Sequence, residues 1–252
     1  MTKKEALLKY TLRLADNASI LGHRLGEWCG HGPILEQDIA MTNIALDLIG
    51  QARNYYQYAA KLEAAGKTED DYAYLRDPLD YYNLLLLEQP NGNFAHSIVR
   101  QYFFDIFHYL FLTALMSSKD KQLAAIAEKS IKEVTYHKKW SGDWVLRLGD
   151  GTELSNEKMQ TAINVLQTYV GELFLMDEVD EMMVKENIGV DLAPIKEEWT
   201  RIVQEHFTEA KLKLPDATWT QKGGKQGYHS EHLGYILADM QYLQRTYPGA
   251  VW

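Results

Sequence analysis

The sequence predicts an all-α fold: a helical bundle of two antiparallel helix pairs joined by a long crossover, followed by additional C-terminal helices. Apolar residues recur at helical spacing through most of the 252 residues, and no run of strand alternation interrupts them. Proline, glycine and capping residues punctuate the periodic stretches where helices should start and stop. Four acids, Asp16, Asp47, Asp105 and Glu133, fall near the middles of four of these stretches. They stand 31, 58 and 28 residues apart. Short, long, short is the rhythm of a carboxylate-bridged four-helix bundle.

The first helix is predicted over about 3–29, with Leu7, Leu8, Leu12, Ala15, Ile20, Leu21 and Leu25 facing a core. Gly30-His31-Gly32-Pro33 stops it. The second runs from about 34 to 65, with Ile34, Met41, Ile44, Ala45, Leu48, Ala52 and Tyr55 as its apolar stripe and Gly66 as its end. Residues 66–92 form the crossover, in which Asp77-Pro78 starts a helix through Tyr82 and Leu87. Gln89-Pro90-Asn91-Gly92-Asn93 breaks it. The third and fourth core helices are expected over about 94–117 and 121–148. Ser155 is expected to cap a fifth, over about 155–186. An extension of about 190–252 holds a helix over 192–210, a loop from Pro215 to Tyr228 and a last helix over 231–246. The whole chain, 1–252, is expected to be one domain.

A bundle holds two metal ions with inward-facing carboxylates and with a histidine three residues after the second and fourth acids. Here those positions are Gly50 and Tyr136. His108 follows Asp105 by three residues, and His137 follows Glu133 by four, about 100° further round the helix. Three of the four acids are aspartates, one methylene shorter than glutamate. Buried acids are costly unless paired or metal-bound. A positive partner is therefore expected among Arg13, Arg100, Lys132, protonated His108 or His137, or a metal. A hydrogen-bonded ion network, a working or partial metal site, and simple exposure all remain open at this point.

Composition excludes several classes. The formal net charge of −9 argues against non-specific nucleic-acid binding and against an anionic membrane surface. One cysteine, Cys29, excludes an internal disulfide and a cysteine-built cluster, and is expected to be a small buried residue. The amino terminus shows no signal-peptide pattern, and Tyr102–Met116 is too short and polar to span a bilayer, so a cytoplasmic protein is expected. Gly223-Gly224-Lys225-Gln226-Gly227 lacks the Gly-Lys-Ser/Thr ending of a phosphate loop and reads as a flexible or partner-wrapping loop. His229-Ser230-Glu231-His232 could gather a metal, or Ser230 could cap the last helix. The 16 tyrosines and 6 tryptophans are many for this length; most are expected in the core, with an unusual share expected to face another subunit.

Several stretches carry a family resemblance. They are Thr11–Asp16, Arg24–His31, Asn43–Asn54, Leu86–Ala95, Lys132–His137, His229–Gly234, and Met240–Arg245 with the terminal Trp252. In this order, from near residue 10 to the end, they resemble the C-subunit family of phenylacetyl-CoA epoxidases, ring-1,2 monooxygenases of aerobic phenylacetate degradation. The resemblance implies a ferritin-like fold and a structural, non-catalytic subunit with no cofactor of its own. It implies as partners a catalytic A subunit holding a di-iron centre and a reductase carrying FAD and an iron–sulfur cluster, with NADPH as electron source. Homodimer contacts are a further expectation. No catalytic residue is carried over. Asp16, Asp47, Gly50, Asp105, Glu133 and Tyr136 would be vestigial ligand positions, with His108 and His137 nearby. Segments 24–32, 86–95 and 219–252 are expected to contribute to the interface. The competing expectations are a di-iron monooxygenase with an altered ligand set (Asp105, His108, Glu133, His137) and a metal-free helical binding protein.

Overall fold

The computed structural model describes residues 1–216 and 219–250, so the terminal Trp252 of the interface segment lies outside the described residues. The fold is all-α, in the ferritin-like order of two helix hairpins separated by a long connection, and no strand occurs among the described residues. Two compact units divide the chain at Pro90/Asn91 and Gln221/Lys222.

The first unit contains residues 1–90 and the C-terminal segment from Lys222. Its α1 spans Lys3–Gly26 and opens with a capping box, in which Thr2 Oγ1 accepts from the Glu5 amide and Glu5 Oε2 accepts from the Thr2 amide. Almost every residue from Tyr10 to Leu25 is buried, because α1 is covered by α2 (Leu35–Glu63), α4 (Leu85–Glu88) and α10 (Glu231–Thr246). Between α2 and α4 lie α3 (Glu69–Tyr74) and a 3-10 turn at Pro78–Asp80. Ile20, Tyr81, Leu233, Ile236 and Leu237 close the core.

Four expectations in this unit are corrected. Ile34 is not core but the exposed N-cap of α2. The helix ends two residues before Gly66, at Ala64 in the left-handed conformation (φ 59°). Cys29 is exposed in the turn after α1. The single crossover helix from Asp77 is instead the 3-10 turn, an extended stretch and α4. The reason is tertiary: the amides of Tyr82 and Leu84 donate to the side chains of Asp16 (2.8 Å) and Asn17 (2.8 Å) on α1, which competes with helix formation.

The second unit, residues 91–221, contains α5 (Phe94–Leu115), α6 (Lys121–Gly149), α7 (Glu153–Val170), α8 (Glu178–Lys185) and α9 (Leu192–Glu209). Asn93, Asp120, Thr152, Asp177 and Asp191 cap them in turn. Residues 97–108 of α5 are all buried beneath α6, α7 and α9. Phe103, Phe107, Phe174, Trp199 and Phe207 form a continuous set of ring contacts there. The expected fifth helix to residue 186 is really α7, a 3-10 turn and α8. A Cβ on Gly171 would overlap the Thr220 side chain, so a larger residue there would have to displace it. Asp177 then caps a new helix, and the cap of α7 is Thr152, with Ser155 as its box partner.

Candidate functional site

The first acid of the pattern, Asp16, has no solvent exposure. Its carboxylate accepts from Tyr56 Oη (2.7 Å), the Tyr82 amide (2.8 Å) and Arg76 Nη1 (3.1 Å), and Arg76 Nη2 makes a second contact. The rest of the guanidinium is also held. Nε donates to the Tyr72 carbonyl and Nη1 to the Asp80 carbonyl, both at 2.7 Å. Tyr81 lies beneath the guanidinium at 4.1 Å, flanked by Tyr56 and Tyr72. Burial disfavours charge on Arg76, but Asp16 outweighs it and raises its pKa. Burial and Asp16 likewise raise Tyr56, keeping its phenol protonated.

In the second unit Asp105 is equally buried but held differently. Gln101 Nε2 (2.7 Å) and Ser141 Oγ (2.8 Å) donate to it, and both are neutral. Burial raises its pKa to about 6 against the opposing pull of His137, Ser141 and Gln101. His108, one turn on, stacks on Phe104 at 4.9 Å and is pushed down to about 3 by burial and then by His137. His137 is itself fully buried.

The remaining positions do not follow. Asp47 and Glu133 are half-buried, Gly50 is exposed, and Tyr136 is 48% exposed with its ring edge-on to His137. No group of three or more His, Cys, Asp or Glu side chains able to hold a metal occurs among the described residues. The residues present therefore do not fit a di-iron centre. A glycine in one nitrogen position offers no donor, and the tyrosine in the other points to solvent. The buried acids instead have hydrogen-bond partners suited to an ion network. Of the cations expected beside them, Arg13 donates to the Lys225 carbonyl (3.1 Å), Arg100 to Asn91 Oδ1 (2.6 Å), and Lys132 is exposed.

Sequence reading missed Arg76 and Glu88. Glu88, at the end of a four-leucine run, is fully buried. Its Oε2 accepts from Asn83 Nδ2 (3.0 Å) and faces His229 Nδ1 (2.9 Å), while Oε1 accepts from the Ser230 amide (2.6 Å). Its backbone carbonyl takes both Arg24 Nε (3.1 Å) and Nη2 (2.8 Å). His229 Nε2 faces the Tyr81 carbonyl at 2.8 Å. Both ring nitrogens thus face acceptors, which requires the imidazolium. Burial lowers the His229 pKa, but Glu88 and Tyr81 overcome that and raise it. With both nitrogens engaged His229 has none left for a metal, and Ser230 caps α10. The nearby glycine loop packs tightly: a Cβ on Gly224 would overlap the Asn83 carbonyl oxygen. A signal for Glu88 was available, since an acid closing an apolar run is either a boundary or a buried partner. Arg76 was legible only as a cation in a tyrosine-rich crossover.

Among the described residues no helix is long and apolar enough to cross a membrane. The chain is 52% identical over 246 residues to the C subunit of 1,2-phenylacetyl-CoA epoxidase from Escherichia coli (strain K12), covering 98% of this chain and 99% of that protein. The model of the phenylacetic acid catabolic protein family matches residues 1–252. With a family model matched over its whole length and a relative 52% identical to it, the chain belongs to the phenylacetic acid catabolic protein family.

Proposed function

We propose that this chain is the structural, non-catalytic subunit of a cytoplasmic multicomponent oxygenase that converts phenylacetyl-CoA to its ring-1,2-epoxide. The observation that carries the reading is the 52% identity to a protein named as the C subunit of such an epoxidase, extending over nearly the full length of both chains. The site chemistry supports it. Asp16 is bonded by Arg76, Tyr56 and a backbone amide, Asp105 by Gln101 and Ser141, and Glu88 by Asn83, Ser230 and His229. Groups engaged in this way fix helices, which supports a structural role. Dioxygen activation then falls to a di-iron centre in a catalytic partner subunit, with electrons from a reductase carrying FAD and an iron–sulfur cluster.

In this reading the chain's work is to present a rigid helical surface to the catalytic subunit. Exposed aromatic residues support a role for the C-terminal segment: Trp219, Tyr228, Tyr235, Tyr242 and Tyr247 all face solvent. Segment 24–32 has exposed Gly26, Glu27 and residues 29–31. Segment 86–95 contributes less than its sequence suggests, because residues 86–89 are buried and only 90, 92 and 93 are exposed.

The test is iron content and phenylacetyl-CoA turnover of the purified chain, alone and with the catalytic subunit and reductase of the same source. The expected result is no iron above background and no turnover alone, with turnover when all components are combined. About two irons per chain with turnover in the absence of the catalytic subunit would overturn the reading.

A further inference from the structure

One face of α2 is apolar and open to solvent along four turns. Leu35 is 73% exposed, Ile39 51%, Leu46 61% and Ile49 40%, and Thr42 continues the line half-buried. Scattered exposed apolar side chains are ordinary. These four, with Thr42 between them, differ in falling at alternating four- and three-residue intervals, the spacing with which one helix receives another. The opposite face of α2, including Met41, Ile44, Ala45 and Leu48, is buried in its own unit. At 1.5 Å per residue the exposed stripe runs about 21 Å. It ends at a cleft of about 360 Å³, where Ile49, Tyr56, Ala73 and Tyr74 meet Arg53, Glu69 and Asp70. A linear stripe leading into a pocket is the form of a helix-docking surface with one anchor position.

Charge selects the occupant. Glu36, Asp38 and Asp47 border the stripe, and Arg53 at its far end already pairs with Glu69 (3.1 Å). A second copy packed antiparallel about a two-fold axis at Thr42 would bring its Asp47 beside Gln37, between Glu36 and Asp38. Acid would face acid twice over, which disfavours self-association. We propose that the α2 face docks an amphipathic helix of a non-identical subunit, with apolar residues at the same alternating spacing, lysine or arginine along its flanks and one bulky apolar side chain in the Ile49 cleft. The proposal rests on the reading of this chain as an oxygenase subunit and adds a surface outside the segments 24–32, 86–95 and 219–252 that were expected at the interface.

The test measures binding of the full-length chain to the catalytic subunit of the same epoxidase by calorimetry. Ile39→Glu and Leu46→Glu are each expected to weaken binding roughly 30-fold or more, the scale of an interface hot spot. Glu36→Lys should weaken it by a smaller factor. Leu154→Glu, at an exposed leucine of α7 outside the stripe, should leave it unchanged within about threefold. Circular dichroism and urea midpoints verify that each variant is folded. Amide exchange of the wild-type chain gives a second readout independent of substitution: residues 35–49 should slow on complex formation. If wild type binds while both stripe variants bind equally well and exchange in α2 is unchanged, the surface is wrong and the subunit reading stands. A wild-type chain that binds no catalytic subunit overturns both. If light scattering shows a wild-type dimer that Leu46→Glu converts to monomer, the occupant is a second copy and the choice of partner is wrong.

Discussion

Asp16 and Asp105 are both fully buried acids on central helices of their units, yet they are stabilised by opposite means. Asp16 meets a guanidinium clamped by two carbonyls and three tyrosine rings. Asp105 meets an amide and a hydroxyl with His137 nearby, and its pKa rises to about 6 because burial outweighs the pull of all three. The first arrangement sets the carboxylate against a guanidinium; the second lets its charge go as the pH falls. The difference teaches that an acid in a ferritin-like helix order is not by itself a metal ligand. Its surroundings decide whether it acts as an anchor, a titrating group or a ligand, and among the described residues neither of these two belongs to a group of three or more side chains able to hold a metal.

The comparison breaks most readily at Arg76. Arg76→Ala removes the cation and leaves Asp16 buried with only Tyr56 and the Tyr82 amide. Losing one partner of a buried pair costs about 3–5 kcal/mol, so the urea midpoint should fall steeply. A second variant separates charge from packing. Arg76→Ala combined with Asp16→Asn should recover part of the loss, because no uncompensated carboxylate remains. If the single variant costs no more than about 1 kcal/mol, Asp16 is not anchored by Arg76 and the contrast with Asp105 collapses.

The pH dependence at Asp105 is the next test, and its sign follows from linkage. The folded pKa of about 6 lies above the ordinary 3.8, so between those values the native state binds more protons than the unfolded state. Stability from this group is fully present below about pH 4 and is lost as pH rises through 6, by on the order of 3 kcal/mol. His108 works against it. Its folded pKa of about 3 lies below the ordinary 6.5, so its contribution is present above pH 6.5 and is lost as pH falls toward 3. The two opposing slopes overlap between about pH 4 and 6, and wild type should show a shallow profile there. Asp105→Asn should unmask the histidine, giving a protein that becomes steadily less stable on acidification. His108→Asn should unmask the aspartate and reverse that slope. Urea unfolding at half-unit pH steps checks both; parallel profiles for all three proteins would show that neither group titrates in this environment.

Helix class, order and most boundaries were legible because they depend on local chemistry. Asn93, Asp120 and Ser230 cap where the sequence places helix starts, and α10 matches its expected span of 231–246. The crossover was not legible, because its conformation is set from outside it. Nothing in residues 77–87 says that Asp16 and Asn17, more than sixty residues earlier, take the amides of Tyr82 and Leu84. The same applies to the acids. Sequence spacing set Asp16, Asp47, Asp105 and Glu133 together as one converging group, of which only Asp16 and Asp105 are fully buried, and Arg76, Ser141 and Gln101 became their partners only through tertiary packing. Cys29 failed as a core residue for the converse reason: composition says little about a side chain in a turn.

Gly224→Ala sharpens the comparison by separating backbone fit from polar pairing. Gly224 carries no charge and bonds nothing through a side chain, but an added methyl would meet the Asn83 carbonyl oxygen. Asn83 also donates to Glu88, which holds His229. Relief of the overlap must shift the loop or this network, at a cost of about 1–3 kcal/mol. A loss of that size together with a lower His229 pKa, followed by its NMR titration, would show that close packing of the loop supports the ion pair. A loss without any change at His229 would confine the effect to the loop.

The smallest effect concerns an acid whose charge should hardly matter. Asp120 caps α6 by accepting from the amides of Gln122 (3.0 Å) and Leu123 (2.9 Å) at a hydrated helix end. Asp120→Ala removes both bonds and should cost about 1 kcal/mol. Asp120→Asn keeps an acceptor and the turn preference and should cost only a few tenths, since asparagine ranks with aspartate as a cap and water screens the helix dipole. Asp105→Asn behaves differently in kind: its effect changes with pH, because there the proton and not the hydrogen bond sets the energy. If Asp120→Asn were as damaging as Asp120→Ala, charge would matter even where water screens it. Burial would then not be what separates these acids, and the opposite treatments of Asp16 and Asp105 would need a cause other than their loss of solvent.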